Sequence, residues 1–176
     1  MGKQKMGARL DLEKDSGILY HSIGEYGVDY WKAWALSQEF QIIEGGMGDF
    51  WCIASSKIDI PASKPSDNGD YIYTSGGKMV TFGPGNGFCR RKYAPKLEKE
   101  GWNTLELICY GDKSLHLVNG EVVMALTNSR YTQNGREIPL TKGRLQLQSE
   151  AAEVFFKDIK IKNINRMPAQ YRSYFK

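Results

Sequence analysis

Cysteine and histidine are both scarce. The 176-residue chain has three cysteines, Cys52, Cys89 and Cys109, and two histidines, His21 and His116. An odd cysteine count without C-x-x-C spacing indicates neither a disulfide framework nor a zinc site. Glu39, Glu44, Glu150 and His116 are suitable ligand types, but their spacing matches no recognised metal motif, so no metal set and no cofactor are expected. Cys52 and Cys109 sit among apolar residues and read as small buried hydrophobes. No apolar run approaches the roughly 20 residues of a membrane-spanning helix. The opening MGKQKMGARLDLEKDSG carries positive charge but no apolar core, so it is not an intact signal peptide. Neither sign of charge dominates: the formal balance is +4, with Lys and Arg spread along the chain. That pattern argues against a nucleic-acid partner, and Arg90-Arg91-Lys92 reads as a solvated loop. The interior also lacks an amphipathic helix, since residues 93–101 form a short stretch broken by Pro95.

Strand signals are abundant. Alternating or short apolar runs occur at residues 16–21, 38–43, 50–54, 71–74, 102–110, 115–118, 121–126, 145–148 and 154–161. The 19 glycines help to punctuate them. Asn119-Gly120 lies between two such runs, and a type I′ hairpin favours that pair because both central positions need positive φ. Many short strands without helices predict an all-β sandwich or barrel. Long loops are expected at residues 55–70 and 83–101. No repeat or linker divides the chain, so residues 1–164 read as one domain and residues 165–176 as a basic, aromatic tail.

The stretch Glu39-Phe40-Gln41-Ile42-Ile43-Glu44 alternates polar and apolar residues and then meets Gly45-Gly46 and Asp49-Phe50-Trp51. Its two carboxylates and one amide form a candidate acid/base set, and a carboxylate pair is the minimal equipment for breaking a glycosidic bond. Polar faces recur at His116, at Gln146 and Gln148, and at Thr104 and Glu106. The solvent face of an antiparallel sheet alternates in the same way. These positions, however, hold amides and carboxylates without lysine or arginine, which suits a hydroxyl-rich ligand. Tyr26, Tyr30, Trp31 and Trp34 cluster in one loop, and aromatic rings can stack on a pyranose.

Several segments together resemble the 3-keto-disaccharide hydrolase domain family. They are Asp15-Ser16-Gly17-Ile18, Glu39-Phe40-Gln41-Ile42 with Gly48-Asp49-Phe50-Trp51, and Gly101-Trp102-Asn103. His116 with Val118-Asn119-Gly120 follows, and then Gly143-Arg144-Leu145-Gln146-Leu147-Gln148-Ser149-Glu150 with Val154-Phe155-Phe156-Lys157-Asp158-Ile159. The resemblance covers about residues 15–164. It implies a concanavalin-A-like jelly-roll sandwich of two antiparallel sheets, a carbohydrate substrate, and a periplasmic or extracellular setting. The family's usual beginning is not found here, so the chain is expected to start inside the domain, with a sandwich incomplete at its N-terminal edge. Asp15 stands where the family has Asn. Lys157 replaces an Arg and so loses bidentate pairing geometry.

The implied activity is hydrolase or lyase cleavage of 3-keto-glycosides. A ketone at carbon 3 acidifies the hydrogen at carbon 2, the group on carbon 1 leaves by elimination, and water adds to the enone. The expected proton carriers are Glu39, Glu44 and His116, and the expected sugar contacts are Gln41, Trp34, Trp51, Asn103 and Gln148. Each polar residue has a plainer reading: Glu44 ends a strand, His116 flanks a hairpin at the surface, and Gln148 stabilises a sheet face. Two alternatives stay open. One is a non-catalytic carbohydrate-binding module. The other is a conventional retaining glycosidase of the E-x-D-x-x-E type, although Gln41 occupies its central Asp position and a β-bulge would be needed to bring Glu39 and Glu44 to one face.

Overall fold

The structure, a computed structural model, describes residues 13–29, 32–150 and 152–176. Tyr30 and Trp31 of the aromatic loop lie outside the described residues. The chain folds as an all-β sandwich of two antiparallel sheets that do not close on each other. One sheet has the order β12-β1-β2-β3-β7, formed by Arg144–Ser149, Asp15–Ile23, Leu36–Ile43, Phe50–Ile53 and Phe88–Cys89. The second has the order β5-β4-β10-β9-β8, formed by Ile72–Tyr73, Ser56–Ser63, Glu121–Gln133, Lys113–Val118 and Leu105–Tyr110. In addition, β6 (Met79–Phe82) pairs with β4, and β11 (Arg136–Pro139) pairs with β10. A parallel bridge from Ile72 to Arg90 ties the sheets together at their β5/β7 end.

Alternation decides which side chains enter the core. Ile18 and Tyr20 of β1, Phe40 of β2 and Phe50 of β3 face the second sheet, so Glu39 and Gln41 face outward. On β9, Ser114, His116 and Val118 point into the sandwich. Leu115 and Leu117 belong to a cluster that also takes in Met167, Tyr171 and Phe175. The tail therefore docks against the second sheet, with a 3₁₀ helix at Ala169–Phe175.

Two Asn-Gly turns fix hairpins. Asn119 and Gly120 have φ of 50° and 85°, as the type I′ reading requires. Asn134 and Gly135 repeat that geometry between β10 and β11. Some expectations need correction. Residues 55–70 are not one long loop, because Ile58, Ile60 and Ala62 alternate into the core along β4. Residues 154–161 alternate but form no strand: Phe155, Ile159 and Ile161 are exposed. An apolar rhythm gives a strand only where a neighbouring backbone completes the ladder. No described helix is long and apolar enough to cross a membrane.

Candidate active site

The outer face of the first sheet gathers polar groups from three strands, β12, β1 and β2. Continuous antiparallel register aligns two rows across it. Leu19 is opposite Gln146 on one side and Glu39 on the other, Glu39 is opposite Trp51, and Trp51 is opposite Phe88. In the next row, Gly17 is opposite both Gln148 and Gln41. Gly17 carries no side chain, and the Glu39 carboxyl lies across it. A hollow results, floored by Gly17, walled by Gln41 and Gln148, and occupied by the Glu39 carboxyl.

Glu39 is only 4% exposed. Burial pushes its carboxyl well above the usual carboxylate range, and the charges of Asp15 and Glu150 push it further; a hydrogen bond from Gln148 opposes both. Burial and both neighbouring charges therefore favour the protonated over the ionised carboxyl. The Gln148 amide also donates to Glu150 Oε2 at 2.7 Å, and the Gln41 amide donates to Asp15 Oδ1. The rim reaches solvent at Trp51, whose ring centroid lies 4.8 Å from that of Phe88. The Arg90 guanidinium lies 5.6 Å over the Phe88 ring.

Glu39, Gln41, Gln148 and Trp51 thus share one face. The other expected residues lie elsewhere. His116 is fully buried between the sheets, its ring stacked 4.3 Å from Phe40. Its Nδ1 donates to the Gly48 carbonyl at 3.0 Å, and its Nε2 accepts from the Tyr20 hydroxyl at 3.2 Å. Burial holds its pKa down at about 4. The expectation that His116 lines the Glu39 surface is corrected, because the β9 pleat turns it toward the back of β2. Glu44 lies beyond the end of β2, exposed, and pairs with Lys14 at 3.4 Å. The β1–β2 register is unbroken from Gln38 to Ile43, so no bulge brings Glu44 to the Glu39 face. Asn103 clamps its own loop: its amide donates to the Lys99 carbonyl at 2.9 Å, and its oxygen accepts from Asn119 at 2.8 Å. Trp34 is half-buried at the end of a loop that Asp29 organises through the Ala33 and Trp34 amides.

A family profile described as 3-keto-alpha-glucoside-1,2-lyase-like domain matches residues 3–162. The chain belongs to this lyase-like domain family. No curated protein and no solved structure matches it. The family name points to carbohydrate chemistry at a 3-keto-glucoside. Both departures noted in this lyase-like domain have a structural setting. Asp15, in place of Asn, supplies the carboxylate that holds Gln41. Lys157, in place of Arg, lies 4.3 Å over the Trp102 ring.

Sequence reasoning missed Gly17 and Phe88 as parts of this site. Gly17 is identifiable only once β1 is registered against both neighbours. Phe88 lies on a two-residue strand, too short to show any period.

Proposed function

We propose that the chain is a carbohydrate-active lyase or hydrolase that cleaves 3-keto-glycosides, with Glu39 as the proton donor to the leaving oxygen. The observation that carries this reading is the buried Glu39 carboxyl at the centre of an amide-walled hollow beside Trp51. In the elimination, the hydrogen at carbon 2 passes as a proton to a flanking carboxylate, Asp15 or Glu150. Its electron pair forms the carbon 1–carbon 2 double bond, and the bond from carbon 1 to the glycosidic oxygen breaks as that oxygen takes the Glu39 proton. Addition of water to the resulting enone completes hydrolysis. Trp51 and Phe88 offer an apolar surface to a sugar ring. The family's carbohydrate chemistry supports a periplasmic or extracellular setting.

Separation of Glu44 from Glu39 argues against a retaining glycosidase of the E-x-D-x-x-E type, whose two carboxyl groups stand about 5–5.5 Å apart. The test is cleavage of a 3-keto-glucoside and of the matching glucoside by the wild type and by Glu39→Gln. The expected result is cleavage of the keto substrate alone, reduced roughly 10²- to 10⁴-fold in the variant. Equal rates in both proteins would remove Glu39 from the mechanism. Binding without cleavage of either substrate would mark a carbohydrate-binding module.

A further inference from the structure

The amides of the hollow are turned so that it presents acceptors. Gln41 and Gln148 would ordinarily offer both NH₂ and carbonyl groups to a sugar. Here the Gln41 NH₂ donates to Asp15, and the Gln148 NH₂ donates to Glu150. In the row above, the Gln146 NH₂ donates to Ser22 Oγ at 3.0 Å. The acceptors left over are Gln41 Oε1 and Gln148 Oε1, and Glu39 Oε1 of the proton-bearing carboxyl lies with them; all three are buried and without a hydrogen-bond partner. Their side chains are 4%, 8% and 4% exposed. Both glutamines are opposite Gly17, and Glu39 lies across it, so the three oxygens belong to one hollow.

Buried acceptors without donors are costly. A group that brings donors relieves them, whereas a ketone oxygen or an enolate, itself an acceptor, does not. We propose that Gln41 and Gln148 are hydroxyl-accepting specificity residues, oriented by Asp15 and Glu150 as positioning residues, and that the hollow selects a sugar ring bearing free hydroxyl donors while the keto oxygen lies away from it. This inference rests on the carbohydrate reading above and reverses the sequence-based expectation that these amides donate to the sugar. The arrangement is specific because a site built to hydrogen-bond a hydroxyl rejects an analogue lacking it far more strongly than an apolar pocket does.

The test uses a 3-keto C-glucoside, whose carbon-linked group cannot leave, together with its 2-deoxy, 4-deoxy and 6-deoxy analogues. Affinities are measured by calorimetry for the wild type, Asp15→Ala and Glu150→Ala. At least one deoxy analogue is expected to bind the wild type tenfold or more weakly than the parent. That penalty should shrink severalfold in Asp15→Ala or Glu150→Ala, where a released amide can turn its NH₂ inward. The ratio between analogue and parent does not move with a general loss of folded protein, so a purely structural effect is distinguished. Deoxy analogues that all bind the wild type within twofold of the parent would overturn the proposal, as would an unchanged penalty in both variants, which would mean that only internal water meets these oxygens. No detectable binding of the parent would overturn it too. Cleavage of the corresponding O-glucoside is scored separately. Cleavage without deoxy discrimination defeats this inference alone, and discrimination without cleavage defeats only the lyase reading.

Discussion

The carboxyl of Glu39 lies in the space that a β-carbon on Gly17 would fill. The two residues are diagonal neighbours on adjacent strands, since Gly17 is opposite Gln41 and Glu39 is opposite Leu19. Gly17 has no positive φ, so its value here is space and not backbone freedom. Gly17→Ala should therefore fold while displacing the carboxyl. The expected loss of stability is about 1–3 kcal/mol, as for other overpacked sites. Turnover of a 3-keto-glucoside should fall at least tenfold, measured alongside a thermal melt. Unchanged turnover with an intact melt would show that the position of the carboxyl does not matter.

The same carboxyl predicts a pH profile. If protonated Glu39 is the donor, activity falls as pH rises through its elevated pKa. The neighbouring charges of Asp15 and Glu150 raise that pKa after burial does. Removing either charge lowers it, so the alkaline limb of kcat should move to lower pH in Glu150→Gln. A limb that stays in place or moves to higher pH in this variant contradicts the assignment.

Asp49 makes a stability prediction of its own. It is buried, its Oδ1 accepts the Arg91 backbone N–H at 2.7 Å, and burial raises its pKa from 3.8 to about 7. The folded state therefore holds this proton more tightly than the unfolded chain. Its contribution is full below the unfolded value and is lost as pH rises through the folded one. Asp49→Asn keeps an acceptor for Arg91 and does not titrate. Between about pH 4 and 7, denaturant unfolding should show the wild type losing stability relative to this variant; parallel curves would refute the assignment.

His116 has the opposite sign. Its folded pKa is lowered from 6.5 to about 4. Its contribution is present above the unfolded value and is lost as pH falls toward the folded one. His116→Gln should flatten that acid-side loss while destabilising the protein by about 1–3 kcal/mol, because the Tyr20 hydroxyl and the Gly48 carbonyl lose well-placed partners. Its folded fraction should keep full turnover on a 3-keto-glucoside. A loss of turnover beyond the loss of folded protein would return His116 to the mechanism.

By itself, the sequence determined the fold class, most of the strands, the Asn119-Gly120 hairpin and the polar faces of β2 and β12. These are local properties: a two-residue side-chain period and a turn that needs positive φ can be read within a few positions. It also singled out Glu39, Gln41 and Gln148, because each alternates with an apolar neighbour, and Trp51 as an aromatic ring beside them. Alternation shows that a strand has two faces, but not which face meets the other sheet. Only the packed sandwich decided that His116 turns inward onto Phe40 while Glu39 turns outward. The same limit explains Asn103 and Glu44, whose partners are set by loop closure and by the point where β2 ends. The hollow itself is a tertiary product. Gly17, Gln41 and Gln148 meet only through the registers of three strands, Gln148 lying far along the chain from the other two. The direction in which the amides point depends on Asp15 and Glu150 beside them. Hydrogen-bond direction belongs to the assembled network, and no single segment of sequence encodes it.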